Sequence, residues 1–309
     1  MTGGPGPHLA LVGPTASGKS AVAAEVARRR PDVELVSVDS MQVYRGMDIG
    51  TAKPTPAERA EVPVHLVDLA EPSEDFSVVQ FQAAARRALG GIEGRGHRAL
   101  LVGGTGLYLR AVVDGLEVPP RWPGVRAELE AEPDTTALHR RLAAIDPVAA
   151  GRMTPTNRRR VVRALEVALG SGRPFSSYGA GLHAHPPARF RLAGVWLPRA
   201  AAAERITRRF AAMVDAGLVA EVEALAARPG GLSRTAAQAL GYREVLGHLQ
   251  GHGSLEEALD QAVRRTRRFA RRQRVWFRRD PRITWYGWDG CRENPVALAA
   301  ALLGDWGGR

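Results

Sequence analysis

The sequence predicts an α/β protein: a parallel, doubly wound sheet flanked by helices and interrupted by a mainly helical insertion. Three observations predict it. Gly13-Pro14-Thr15-Ala16-Ser17-Gly18-Lys19-Ser20 satisfies G-x-x-x-x-G-K-[ST] at every fixed position and lies between an apolar strand and a helix, the setting of a phosphate-cradling P-loop. Short apolar strands then alternate with helices as far as Leu109. From Val118 to Trp122 prolines break that rhythm, a helical stretch follows, and an apolar strand returns at Phe190. The expected division is 1–114, a first part of a P-loop NTPase-like core; 115–188, a helical insertion; and 189–309, the second part of the core with basic C-terminal helices.

In order along the chain, His8 to Val12 reads as a buried strand entering the loop and Ala21 to Arg29 as the helix leaving it. The loop residues follow from the chemistry. Glycines let backbone N–H groups turn onto an anion, Lys19 supplies a point charge, and the Ser20 hydroxyl can ligate Mg²⁺. Val33 to Val38 alternates like a strand and delivers Asp39-Ser40-Met41-Gln42-Val43-Tyr44 at its C-terminal end, where α/β sheets place their chemistry. Asp39 suits either of two roles, holding Mg²⁺ through water or acting as a general base. Arg45 to Pro54 is a loop by its Gly and Pro, Val62 to Leu69 an apolar strand carrying Asp68 as a second candidate metal-side carboxylate, and Ser77 to Leu89 a helix. Ala99 to Val102 is a strand running into Gly103-Gly104-Thr105-Gly106, a second glycine turn that brings Thr105 to the edge of the P-loop.

Residues 124–169 read as helical, with Arg159, Arg160 and Arg163 within one turn and Val161, Leu165 and Ala168 facing away. Residues 170–187 are rich in Gly, Ser, Pro and His and read as a loop without fixed structure, with His183 and His185 in solvent. Phe190 to Leu197 is a strand, and a long helix with Arg205, Arg208 and Arg209 starts at Ala200. Ser254 with Glu257 forms a capping box for a helix reaching Arg279. Nine of the sixteen residues 264–279 are arginine and share one half of the helical wheel, opposite Ala262, Phe269, Ala270, Trp276 and Phe277. Gln273 falls inside the apolar arc and is expected to be buried and hydrogen-bonded.

Composition limits the function classes. No run of about 18 apolar residues exists, and Met1 to Pro7 lacks a basic-then-apolar leader pattern, so a cytoplasmic protein is expected. The one cysteine, Cys291, excludes an internal disulfide and a cysteine metal cluster, so any metal should be oxygen-ligated. The net charge of +11 sits entirely beyond residue 110: residues 1–110 hold 12 basic and 12 acidic side chains, the remainder 31 and 20. That asymmetry points to a polyanion such as nucleic acid. Only Lys19 and Lys53 are lysines, against 41 arginines, which marks both as places where a compact ammonium serves better than a guanidinium.

These motifs, taken in sequence, resemble those of the tRNA dimethylallyltransferases (isopentenyl-diphosphate:tRNA isopentenyltransferases). The matching segments are Gly13 to Ser20, Asp39 to Tyr44, Asp48 to Pro54 (D-I-G-T-A-K-P), Gly103 to Tyr108, Arg159 to Val167, Gly241 to Glu244 and Arg268 to Arg278. Two departures stand out: Pro155-Thr156-Asn157 replaces the family's Pro-Asn-Asp, and Ala211 replaces a common aspartate. The resemblance implies a P-loop, Gly13, Pro14, Thr15, Ala16, Ser17, Gly18, Lys19 and Ser20, that holds the diphosphate of dimethylallyl diphosphate instead of ATP, with Mg²⁺ near Ser20. It implies an acceptor adenosine beside the tRNA anticodon, with the insertion gripping the anticodon stem-loop. On that footing Asp39 is the base, Lys19 and Arg209 neutralise the leaving diphosphate, and Thr105 bonds the bridging oxygen. The tRNA side would comprise Asp39, Ser40, Met41, Gln42 as a base-edge reader, Thr105, Arg126, Arg159, Arg160, Val161, Val162 and Arg163, with Arg126, Arg159, Arg160, Arg163 and the arginines after Ala262 as the phosphate contacts. The expected state is a monomer away from membranes. The rivals are a small-molecule P-loop kinase, a non-catalytic RNA-binding nucleotide switch, and an isopentenyltransferase acting on free adenylate; the first and last leave the basic surplus without a purpose.

Overall fold

The computed structural model describes residues 7–179, 181–182, 184–287 and 294–307. Cys291 and His183 lie outside them. Strand β1 (His8–Val12) is buried at every position because both faces of the sheet are covered. Its alternate residues enter different cores. Ala10 and Val12 pack with Val36, Val38, Phe81 and Leu101, whereas Leu9 and Leu11 pack with Val22, Val26 and Leu298. Helix α1 (Lys19–Arg29) leads to β2 (Val33–Val38), then come the short α2 (Pro56–Glu61), β3 (Val64–His65), α3 (Val78–Gly94), β4 (Arg98–Gly103) and α4 (Gly106–Val113). The capping boxes of Thr55 with Glu58 and Ser77 with Gln80 fix the starts of α2 and α3.

The insertion holds α5 (Pro123–Ala131), α6 (Thr135–Ile145), α7 (Pro147–Gly151) and α8 (Arg158–Ser171). The core resumes with β5 (Phe190–Trp196), α9 (Arg199–Asp215), α10 (Leu218–Ala226), α11 (Tyr242–Leu249), α12 (Leu255–Phe277), β6 (Ile283–Gly287) and α13 (Pro295–Gly307). The six strands run in the order β3-β2-β4-β1-β5-β6 and every pairing is parallel. The chain forms two compact units, residues 1–113 with 187–309, and residues 114–186. The second unit has its own core of Leu129, Leu138, Leu142, Val161, Val162 and Leu165.

Two expectations change. The strand read over Val62 to Leu69 shrinks to β3, because Leu66 and Asp68 sit at φ +66° and +56°, which pleated backbone excludes. The apolarity there reflects burial of Val62 and Leu66, not pairing. The loop over 170–187 has a fixed part, a 3₁₀ turn at Phe175–Ser177, pinned by buried Asp146, which accepts from the Ser176 N–H at 2.7 Å and the Ser176 hydroxyl at 2.8 Å. His185 is half-buried rather than in open solvent.

Candidate active site

Because the sheet is parallel and β2, β4, β1 and β5 are neighbours, the segments leaving their C-terminal ends share one edge. Those segments carry Asp39, Thr105, the P-loop and, on α9, Arg209. Gly18, at φ +86°, forms the left-handed turn that starts α1. The first turn of α1 has no acidic side chain, so its positive end is left for an external anion. Ala16 also sits in the left-handed region, at φ +65°, which costs a residue with a Cβ about 1 kcal/mol. Its methyl packs against Ile206, Phe210 and Ala262 of α9 and α12, an apolar contact that offsets the strain.

Gln273 of α12 joins the two glycine turns, as its place in the apolar arc predicts. Its Oε1 accepts from the Thr15 N–H at 2.8 Å and the Thr15 hydroxyl at 3.1 Å, and its Nε2 donates to the Gly104 carbonyl at 2.9 Å. A Cβ on Gly104 would stand 2.3 Å from that Nε2, so the approach requires glycine. The next residue, Thr105, accepts the Ser40 N–H on Oγ1 at 3.3 Å. Asp39 turns its carboxylate by accepting the Met41 N–H at 2.8 Å. Lys19 and Arg209 both interact electrostatically with Asp39. Burial pushes the Lys19 ammonium down to about 8; Asp39 opposes that shift and Arg209 adds to it. Burial likewise lowers Arg209, against Asp39.

Other residues singled out in the sequence take different places. Asp68 is not a metal-side carboxylate, because it pairs with Lys53 at 2.7 Å and Arg59 at 2.6 Å. The Lys53 ammonium, 1% exposed, also meets Asp48 at 2.6 Å and the Tyr44 carbonyl at 2.7 Å, so it locks the loop that follows Asp39. Its rarity as a lysine was the signal. Gln42 has its amide engaged inside the protein, with Oε1 accepting the Ser37 hydroxyl and Nε2 donating to the carbonyls of Thr51 and Ala52, so it is a loop tie and not an open base-edge reader. Ser40 and Met41 are half-buried beside it.

Glu221 was not visible in the sequence. It accepts the N–H groups of Asp48, Ile49 and Gly50 and the Tyr242 hydroxyl, a contact made across about 170 residues that no local pattern announces.

In the second unit Val161 and Val162 are fully buried in its core, so their side chains cannot meet RNA. Arg163 pairs with Glu166 at 3.0 Å and donates to the Pro119 carbonyl, while Arg126 pairs with Glu130 at 2.8 Å and Glu166 at 3.4 Å. Glu166 is 0% exposed, so both arginines neutralise a buried charge and are not open phosphate contacts. Arg159 and Arg160 are exposed and make no ion pair among the described residues. Asn157, at the departure from the family pattern, caps α8 through the Arg160 N–H.

No group of three or more His, Cys, Asp or Glu among the described residues could cage a metal. Exposed Ser20, at the start of α1, is the oxygen donor that stands at the loop.

An anion cradle on the central strand, one oriented carboxylate, one threonine hydroxyl and two desolvated cations define a P-loop enzyme of group transfer. Comparison narrows the class. The chain belongs to the IPP transferase family, whose model matches residues 42–280, and an isopentenyl transferase model matches residues 8–66. It is 47% identical over 299 residues to a tRNA dimethylallyltransferase of Pseudarthrobacter chlorophenolicus, covering 96% of this chain and 98% of that one. It is 50% identical over 307 residues to one of Salinispora tropica, covering 96% and 95%. The crystal structure of a tRNA isopentenylpyrophosphate transferase from Bacillus halodurans shares its fold at TM-score 0.70 and 38% identity, covering 98% of this chain and 97% of that one.

Proposed function

We propose that this chain transfers the dimethylallyl group of dimethylallyl diphosphate to N6 of adenosine 37, next to the anticodon, in tRNAs reading codons that start with U. The observation that carries the reading is the meeting of Lys19, Asp39, Thr105 and Arg209 at one sheet edge. The names of the relatives support it. An adenine N6 is a weak nucleophile because its lone pair is delocalised into the ring. As the N6–carbon bond forms and the carbon–oxygen bond to diphosphate breaks, the N6 proton passes to Asp39. The Met41 N–H holds that carboxylate in place. Thr105 accepts the Ser40 N–H, which leaves its own proton to bond the departing bridging oxygen. Lys19, Arg209 and the positive end of α1 stabilise the leaving diphosphate. Ser20 suits Mg²⁺, which is held by few protein ligands together with substrate phosphates, and the ion would supply further neutralisation of the diphosphate. The adenine must leave its stack to reach this edge, and the exposed arginines of the chain are suited to holding the rest of the RNA. The same reading places the protein in the cytoplasm as a monomer; no helix among the described residues is long and apolar enough to cross a membrane.

The test incubates the protein with Mg²⁺, labelled dimethylallyl diphosphate and unmodified tRNA, with ATP plus AMP in a parallel reaction. Label should enter the tRNA. Phosphoryl transfer to AMP without labelled tRNA would overturn the reading. Asp39→Ala should lower turnover by about 10²-fold or more with little change in tRNA affinity.

A further inference from the structure

Lys53 is the lysine that the proposed chemistry does not use, and of 43 basic side chains only it and Lys19 are lysine. Its ammonium is 1% exposed and meets three acceptors: the Tyr44 carbonyl at 2.7 Å, the Asp48 carboxylate at 2.6 Å and the Asp68 carboxylate at 2.7 Å. Three acceptors converging on one nitrogen match the three N–H donors of an ammonium. A guanidinium spreads its donors over three nitrogens in a plane and cannot bring them to one point in a closed space. That geometry accounts for a lysine in a chain that otherwise uses arginine. Arg59 meets the second Asp68 oxygen at 2.6 Å, so two cations and two carboxylates make a neutral group.

What this ammonium holds bears on the reaction edge. Residues 40–42, just past β2, orient both groups placed at the reacting atoms. The Ser40 N–H donates to the Thr105 hydroxyl oxygen at 3.3 Å, and the Met41 N–H to the Asp39 carboxylate at 2.8 Å. The carbonyls of the same stretch are held from behind. That of Met41 accepts the Tyr44 N–H at 3.2 Å, and that of Gln42 accepts the Asp68 N–H at 3.2 Å. Tyr44 and Asp68 are two of the residues that Lys53 ties together, one through its carbonyl and the other through its carboxylate. The Gln42 amide adds bonds to the carbonyls of Thr51 and Ala52, the latter next to Lys53 in the chain. Asp68 makes its contacts from left-handed backbone, at φ +56°, a conformation that persists only where its surroundings hold it. One buried cation therefore anchors both supports of the segment that aims Asp39 and Thr105.

We propose that Lys53 is a positioning residue for the transfer reaction. Its ammonium fixes residues 40–42 in the register in which their N–H groups aim the Asp39 carboxylate at the acceptor and the Thr105 hydroxyl at the leaving oxygen. Its bonds go to residues 44, 48 and 68 and not to the P-loop, so it acts on the reacting geometry and leaves the diphosphate cradle unchanged. A misplacement of about 1 Å at a reacting group can cost about 10²-fold in rate. The inference rests on the roles of Asp39 and Thr105 proposed above.

The experiment follows label from dimethylallyl diphosphate into unmodified tRNA under single-turnover conditions, together with the urea midpoint, for the full chain and three variants. Lys53→Arg keeps the charge but not the convergent geometry. Its transfer rate should fall about tenfold or more, while the diphosphate concentration that half-saturates the reaction stays within about twofold. Lys53→Met should lower both the urea midpoint and the rate, because it strands the carboxylates of Asp48 and Asp68. Adding Asp48→Asn and Asp68→Asn to Lys53→Met removes those stranded charges, so the midpoint should recover and the rate should not. A rate that recovers along with the midpoint, or a Lys53→Arg protein that transfers at the unaltered rate, would make Lys53 a charge balance only and overturn the proposal. A loss confined to diphosphate half-saturation would overturn it as well, by assigning Lys53 to the cradle. Failure of the underlying reading is distinct, since the unaltered protein would then leave the tRNA unlabelled.

Discussion

Lys19 works under opposed influences: burial and Arg209 favour its neutral form, Asp39 its charged form, and the balance leaves it near 8. A cradle lysine must be charged to meet diphosphate, so kcat/KM for the diphosphate should fall as pH rises through about 8. The loaded complex restores the charge on the lysine, so kcat should hold to higher pH. A kcat/KM profile flat to pH 9 would remove Lys19 from the cradle. At this scale the sequence was informative about residue type and silent about partner. The P-loop lysine could be named from its motif, and Lys53 flagged from its rarity, but Asp48, Asp68 and the Tyr44 carbonyl around Lys53 meet only after folding. Gln42 shows the converse. Its position beside Asp39 suggested contact with a base, whereas Ser37, Thr51 and Ala52 satisfy its amide.

The elements are braced at the edge of the sheet opposite the site. Glu34 on β2 is buried and accepts from Arg95, His65 of β3 and His97 just before β4, so one carboxylate pins three neighbouring strands. Burial alone would raise its pKa; the bonds from Arg95, His65 and His97 outweigh that and hold it at about 2. The stabilisation is present above the unfolded value near 4.5 and is lost as pH falls toward 2. Glu34→Gln should therefore cost roughly 3 kcal/mol at neutral pH, with the gap to the unaltered protein closing between pH 4.5 and 2 in urea titrations. A pH-independent gap would mean that packing, not charge, explains the cost. Helix α12 was the most legible element, since its capping box, its apolar stripe and buried Gln273 all follow from spacing. Strand β3 was the least legible, because an apolar run reports burial and cannot report the positive φ values at Leu66 and Asp68.

For the whole molecule, the surplus of positive charge beyond residue 110 is a property of composition, but its distribution among useful and internal arginines is not. In the second unit, Arg159→Ala with Arg160→Ala should weaken tRNA binding and reduce the salt slope of log affinity by about 1–2, with stability unchanged. Arg163→Ala should instead destabilise that unit by about 3 kcal/mol, since it strips a partner from buried Glu166, and should alter the salt slope little. Denaturation and salt titration of the two variants distinguish the roles, and a reversed pattern would mean that Glu166 does not need its partners.

The sequence alone determined the alternation of strands and helices, the phosphate loop, the strand ends that carry Asp39 and Thr105, and the place where the helical insertion interrupts the core. Each of these is written in local spacing, in turn residues and in side-chain periodicity, which act over a few residues. Only the tertiary structure decided which charges face each other: Lys53 with Asp48 and Asp68, Glu221 with the Asp48 turn, Arg126 and Arg163 with Glu166, and Arg268, Arg271, Arg272 and Arg279 with none among the described residues. An arginine has the same chemistry in every case, and its role depends on whether folding brings a carboxylate from a distant part of the chain within a few ångströms.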